Sequence, residues 1–102
     1  METLTHPKLK DITLEQVLKA LGDPIRLSVV KQLMEVPGEE KACGTYEHNV
    51  TKATFSHHLK ILVEAGIIRK RQEGTRGMTS LRSADLKKKF PGLLDLLAKS
   101  AK

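Results

Sequence analysis

The chain is expected to fold as a mainly α domain with one β-hairpin, a winged helix-turn-helix of about five helices. Three observations carry that expectation. Apolar residues recur at helical spacing in three stretches, Leu14 to Leu21, Ile25 to Met34 and Phe55 to Leu62. The third stretch runs at once into Ile67-Ile68, a polar glycine-broken turn over 72–77, and a short returning run from Met78 to Arg82, which is the pattern of a hairpin. The length of 102 residues suits a single domain that can bury a core without covalent staples.

Each element follows from local chemistry. Residues 1–12 show no period and read as an N-terminal arm to a single domain over 13–100. Thr13 and Gln16 stand at capping-box spacing, where each side chain satisfies an orphan backbone N–H of a nascent helix. Leu14, Val17, Leu18 and Leu21 form its apolar stripe, and Gly22 suits a left-handed residue just past its end. Asp23-Pro24 restarts a helix, Asp as N-cap and Pro at the first helical position. Ile25, Val29 and Leu33 share a face that Leu27, Val30 and Met34 widen, so this helix belongs at the centre of the core. Pro37-Gly38 stops it, and 37–50 reads as mostly loop. Thr51 caps the next helix, with Phe55, Leu59 and Leu62 turned inward, and Ala65-Gly66 closes it. After the hairpin, Ser83 caps a short helix ending near Phe90. Pro91 opens a last one rich in leucine at 93, 94, 96 and 97.

Composition narrows the function. No apolar run approaches the roughly 20 residues a membrane-spanning helix needs, and Met1 to Lys10 lacks a stretch of signal-peptide length, so a cytoplasmic address is expected. A single cysteine, Cys43, excludes an intramolecular disulfide and a four-thiolate zinc site within one chain. The chain carries +6. Lys52, Lys60, Arg69, Lys70, Arg71, Arg76 and Arg82 against Glu64 and Glu73 place +5 of it between residues 52 and 82. Such concentration is the footprint of a polyanion binder; a basic face kept for solubility is the plainer alternative. There is no nucleophile elbow, phosphate-cradling glycine loop or paired-carboxylate motif, so neither an enzyme nor a bound cofactor is expected.

With Phe55, Leu59 and Leu62 inward, Lys52, Thr54, Ser56, His57 and Lys60 fall largely on the opposite arc. Compact hydroxyls and cations in the first two turns suit a helix whose amino-terminal end enters a major groove. Hydroxyls bond bases or phosphates, whereas Lys52 and Lys60 suit phosphates, which position rather than specify. Arg69 and Arg71 in the hairpin would lie along the nucleic-acid backbone. An ordinary amphipathic surface helix remains the alternative. His57 and His58 point about 100° apart on a helix, so they make no shared metal clamp. His57 suits the groove and His58 a partly buried packing or hydrogen-bonding role.

The stretches LKALGDPIRLSVVKQL (18–33) and TKATFSHHLKILVEAGIIRKRQEGTR (51–76) resemble the arsenical-resistance-repressor (ArsR) family of winged-helix transcription regulators, and the resemblance covers residues 14–98. It implies a homodimeric bacterial repressor of double-stranded DNA that leaves an inverted-repeat operator when an effector binds. The implied dimer joins the first and last helices, here Leu14, Val17, Leu18 and Leu21 with Leu93, Leu94 and Leu97. It also turns Lys52, Thr54, Ser56 and His57 to the major groove and sends Arg76, at the hairpin tip, toward the minor groove. The chain departs from the family in its sensing residues. Where members carry a cysteine pair it has Cys43 alone, and its last helix offers Asp95 and no histidine, so no metal site is expected. An unfamiliar set of Cys43, Tyr46, His48 and His6 is the remote alternative. Cys43 beside Lys41 could act as a redox sensor, because a nearby cation lowers a thiol pKa; an idle loop cysteine is the alternative. Residues 38–50 are polar and glycine-broken where the family has a supporting helix. A protein- or RNA-interaction module without sequence-specific duplex binding is the competing function.

Overall fold

The computed structural model describes residues 5–100. Its helices are α1 (Leu14–Leu21), α2 (Pro24–Met34), α3 (Lys52–Glu64), α4 (Ser83–Lys89) and α5 (Leu93–Lys99). Three strands, β1 (Glu40–Ala42), β2 (Ile68–Glu73) and β3 (Arg76–Leu81), complete it. Local signals set most boundaries. The Thr13 hydroxyl accepts from the Gln16 amide at 3.3 Å. Asp23 Oδ1 accepts from the amides of Ile25 at 2.8 Å and Arg26 at 3.2 Å, capping α2 behind Pro24. Gly22 is an exception to the expectation: at φ −75° it is right-handed, and its amide bonds Lys19 O as the helix closes. The left-handed turn falls instead at Gly66, φ +85°.

α2 is the axle, touching α1, α3, α5 and the sheet. Its Val29, Val30 and Leu33 are buried among Val17, Ala20 and Leu21 of α1 and Phe55, Leu59, Leu62 and Val63 of α3. Leu86 of α4 and Leu94 of α5 close that core. Burying a side chain of this size stabilises by about 1.5–3 kcal/mol, so one continuous core fixes where α3 sits.

The sheet is antiparallel in the order β1-β3-β2. Ile68 faces Leu81, Lys70 faces Thr79 and Glu73 faces Arg76, so the hairpin turns tightly at Gly74-Thr75 and its second strand begins two residues before the expected Met78. β1 corrects the expectation of mostly loop over 37–50, pairing Glu40 with Ser80 and Ala42 with Met78. Three residues of mainly polar character show no alternation to betray a strand. Period-two geometry places Ile68 and Lys70 with Leu81 and Thr79 on the core side, and Arg69, Arg71 and Glu73 on the outer side.

Of the expected N-terminal arm, residues 1–4 lie outside the described residues and the rest packs on the domain. Leu9–Asp11 form a 3-10 turn, and Ile12 lies in the core at 2% exposure. The boundary expected between residues 12 and 13 therefore separates nothing structurally. Ser83 is the first residue of α4 rather than its cap, and its hydroxyl donates to a Glu39 carboxylate oxygen. α5 starts at Leu93 behind a left-handed Gly92 instead of at Pro91.

Candidate nucleic-acid interface

α3 is capped by Thr51, whose hydroxyl accepts from the Thr54 amide at 3.1 Å and donates to the Thr54 hydroxyl at 3.0 Å. Phe55, Leu59, Leu62 and Val63 hold its inner face. Lys52, Thr54, Ser56 and His57 are exposed on the other arc and Lys60 is half-buried beside them. His58 turns the other way, with its side chain at 12% exposure. Arg26 Nη1 lies 3.2 Å from His58 Nδ1. A guanidinium only donates, so Nδ1 is the acceptor and a neutral ring carries its proton on Nε2. Arg26 Nε also donates to Ala20 O at 2.7 Å, which ties α3 to the junction of α1 and α2. Asp23 sits 4.0 Å from His58. Desolvation pushes its carboxyl up, but the Arg26 and Ile25 amides and the nearby Arg26 and His58 hold it below its usual value.

The approach to α3 contains residues that sequence reasoning missed as supports. After a 3-10 turn at Cys43–Thr45 the chain is held by Tyr46, whose hydroxyl lies 2.6 Å from that of buried Thr79. Thr79 in turn donates to Lys41 O at 2.7 Å, so the phenol is the donor to Thr79. Burial pushes the Tyr46 pKa up to about 12. The Tyr46 and Phe55 rings tilt together with centroids 5.5 Å apart, and His48 stacks on Phe55 at 4.0 Å. The Gln32 carboxamide bonds both the N–H and the C=O of Glu47, each at 3.0 Å. An aromatic wedge and a side-chain amide thus stand where a supporting helix was implied. The one available signal was an isolated tyrosine in an otherwise polar segment.

The hairpin carries its cations in pairs. Arg69 reaches Asp85 at 3.4 Å; Arg71 reaches Glu40 at 3.0 Å and Glu73 at 3.5 Å; Arg76 reaches Glu73 at 3.4 Å. Hydrogen bonds donated to Glu40 raise the Arg71 pKa further. The three arginine side chains are about half exposed or more, and pairs of that kind are weak and exchangeable. Two of the carboxylates, Glu40 and Asp85, come from outside the hairpin, which a count along the chain could not show. Arg82 leaves the expected basic surface altogether. At 4% exposure, its guanidinium bonds Asp85 at 2.9 and 3.0 Å and Pro7 O at 2.8 Å.

Cys43 is half-buried rather than exposed. Burial raises its thiol pKa, and the cation that opposes this is Lys70, not Lys41. Burial therefore works against the activated thiolate that a redox sensor would need. His48 is occupied by Phe55, and His6 Nε2 accepts from the Lys70 amide at 3.1 Å. Among the described residues no three His, Cys, Asp or Glu side chains converge as metal ligands.

The leucine stripes divide. Val17, Leu21 and Leu94 lie in the protomer's own core, and Leu93 and Leu97 pack partly against it. That corrects the expectation that Val17, Leu21 and Leu94 offer surface to a second subunit. Among the described residues, the large apolar side chains left exposed are Leu14 at 46% and Leu18 at 52% on α1, and Leu96 at 66% on α5. Among the described residues no helix is long and apolar enough to cross a membrane.

A three-stranded winged helix that turns small hydroxyls and cations outward from one helix, with an arginine-bearing hairpin beside it, defines a DNA-binding regulator. Residues 23–70 match the model of the bacterial regulatory proteins of the arsR family. The chain is 34% identical over 96 residues to the uncharacterized HTH-type transcriptional regulator YceK of Bacillus subtilis, covering 92% of this chain and 95% of that one. It is 35% identical over 74 residues to an arsenical resistance operon repressor of Staphylococcus aureus, covering 72% and 69% of the two chains. It is 31% identical over 87 residues to the transcriptional repressor SdpR of Bacillus subtilis, covering 84% and 94%. The crystal structure of an ArsR family transcriptional regulator shares the fold, with a TM-score of 0.66 at 18% identity over 86% of this chain and 98% of that one. The chain belongs to the ArsR family, as a transcriptional regulator and not an enzyme.

Proposed function

We propose that the protein is a cytoplasmic repressor that binds an inverted-repeat operator as a homodimer and leaves it when an effector binds. The observation that carries this reading is the outward arc of α3, where Lys52, Thr54, Ser56 and His57 are exposed on a helix whose other side is anchored in the core. Arg69, Arg71 and Arg76 supply phosphate and groove contacts by exchanging their carboxylate partners for DNA. Leu14, Leu18 and Leu96 supply the subunit contact, since leucines this exposed form an apolar surface that a second copy would cover. A two-fold dimer then reads half-sites about one turn of DNA apart.

Competition binding against salt tests it. The wild type should prefer an inverted repeat selected from a random pool over scrambled duplex, with a steep negative log–log slope. Lys60→Ala and Arg76→Ala should weaken binding to every sequence and each reduce the slope by about 0.9. Ser56→Ala and Thr54→Ala should mainly erode discrimination. A flat slope with no preference would overturn the reading in favour of a protein- or RNA-interaction module.

A further inference from the structure

The amino-terminal segment is bound to the domain at four points. Ile12 is seated against Gly66, at the turn between α3 and β2, where an ideal Cβ would stand 2.5 Å from Ile12 Cγ1. The Lys89 ammonium donates to Leu9 O at 2.7 Å, and buried Arg82 donates to Pro7 O at 2.8 Å. The last point is on the wing itself. β2 is an edge strand of the sheet, and the Lys70 N–H that points off its edge is received by His6 Nε2 at 3.1 Å. The segment thus runs from the end of the recognition helix, past α4, to the edge of the hairpin.

We propose that residues 6–12 are a strap that fixes the angle of the wing relative to α3, and that His6 is the positioning residue whose ring clasps β2. The proposal rests on the DNA-binding reading above, since the wing's angle matters only if Arg76 must meet the duplex while α3 occupies the groove. A clasp on a side-chain acceptor also opens with acid. The ring can receive the Lys70 amide only while Nε2 carries a lone pair. Protonation removes that lone pair and adds a cation beside Arg69 of β2 and Arg82 at the start of α4, with Asp85 bonded to both arginines. The Lys70 ammonium points elsewhere, its Cε lying along the sheet near Gly77. Burial, then Arg69 and Arg82, lower the His6 pKa, so the clasp needs more acid to open than an ordinary histidine would.

The test is a cycle between His6 and Arg76, read on a duplex that the wild type has selected from a random pool. In the wild type, Arg76→Ala should weaken binding several-fold and lower the salt slope by about 0.9. In a His6→Ala background the same change should do neither, because the wing no longer meets the duplex. His6→Gln, whose carboxamide oxygen can still accept, should restore the Arg76 effect. Its affinity should also hold as the pH falls, whereas the wild type's drops relative to it. Ser56→Ala should erode discrimination equally in all backgrounds, which separates a displaced wing from a protein that has partly unfolded. Independent, multiplying effects of His6→Ala and Arg76→Ala overturn the strap while leaving the DNA reading intact. Wild-type protein that selects no duplex overturns both.

Discussion

Replacing Gly66 by alanine should cost far more than the loss of one hydrogen atom suggests. At φ +85° the residue occupies a left-handed region that costs an L-residue about 1–2 kcal/mol. The new Cβ would also stand 2.5 and 2.6 Å from Ile12 Cγ1 and Cδ1, and overpacking of this kind adds about 1–3 kcal/mol. The expected loss is therefore about 2–5 kcal/mol, a large part of the roughly 5–15 kcal/mol that holds a domain together. Urea unfolding should show a lower midpoint with an unchanged slope. Ile12→Ala removes every side-chain atom the new Cβ would strike and by itself costs about 2–5 kcal/mol as a cavity. Combined with Gly66→Ala, it should destabilise by about 1–3 kcal/mol less than the two losses summed, since the clash is relieved while the backbone strain stays. A Gly66→Ala protein within about 0.5 kcal/mol of wild type, or strict additivity with Ile12→Ala, would refute the packing argument.

Three further outcomes are expected. Tyr46 is the only tyrosine of the chain, so its absorbance titration is unambiguous: phenolate should appear near pH 12 when folded. Because the folded pKa is the raised one, its contribution to stability is complete below pH about 10 and lost as pH climbs toward 12; Tyr46→Phe should abolish that step. Cys43 should react more slowly with a thiol reagent in the folded protein than after denaturation, and Cys43→Ser should leave peroxide sensitivity of DNA binding unchanged. Leu18→Glu together with Leu96→Glu should give a folded monomer by sedimentation that no longer favours an inverted repeat; a dimer of unchanged stability would remove these leucines from the subunit contact.

What could be read along the chain was what neighbouring residues decide. Thr13, Asp23 and Thr51 announce helix starts because each bonds an amide two or three residues away. Phe55, Leu59 and Leu62 announce the buried side of α3 by spacing alone. Distant partners were invisible. β1 exists because Glu40 to Ala42 find β3, and Tyr46 finds Thr79, more than thirty positions on. The strap uses backbone acceptors at Pro7 and Leu9, which leave no mark in side-chain composition. In α1, spacing identified an apolar stripe without telling which part meets the protomer's own core; Val17 and Leu21 do, whereas Leu14 and Leu18 do not. The hairpin's charge was overcounted for the same reason, since Glu40 and Asp85 reach it from elsewhere.

Gln32 moors the path into α3 by offering one carboxamide where a neighbouring strand would have offered a ladder of peptide groups. A ladder fixes register over its whole length, so any inserted residue throws its pairs out of step. A mooring at a single point constrains only Glu47. Beyond His48, which stacks on Phe55, chain can lengthen or shorten ahead of the Thr51 cap at only a slowly growing entropic cost. Relatives built on this plan can therefore vary the span ahead of α3 while keeping the helix itself in place.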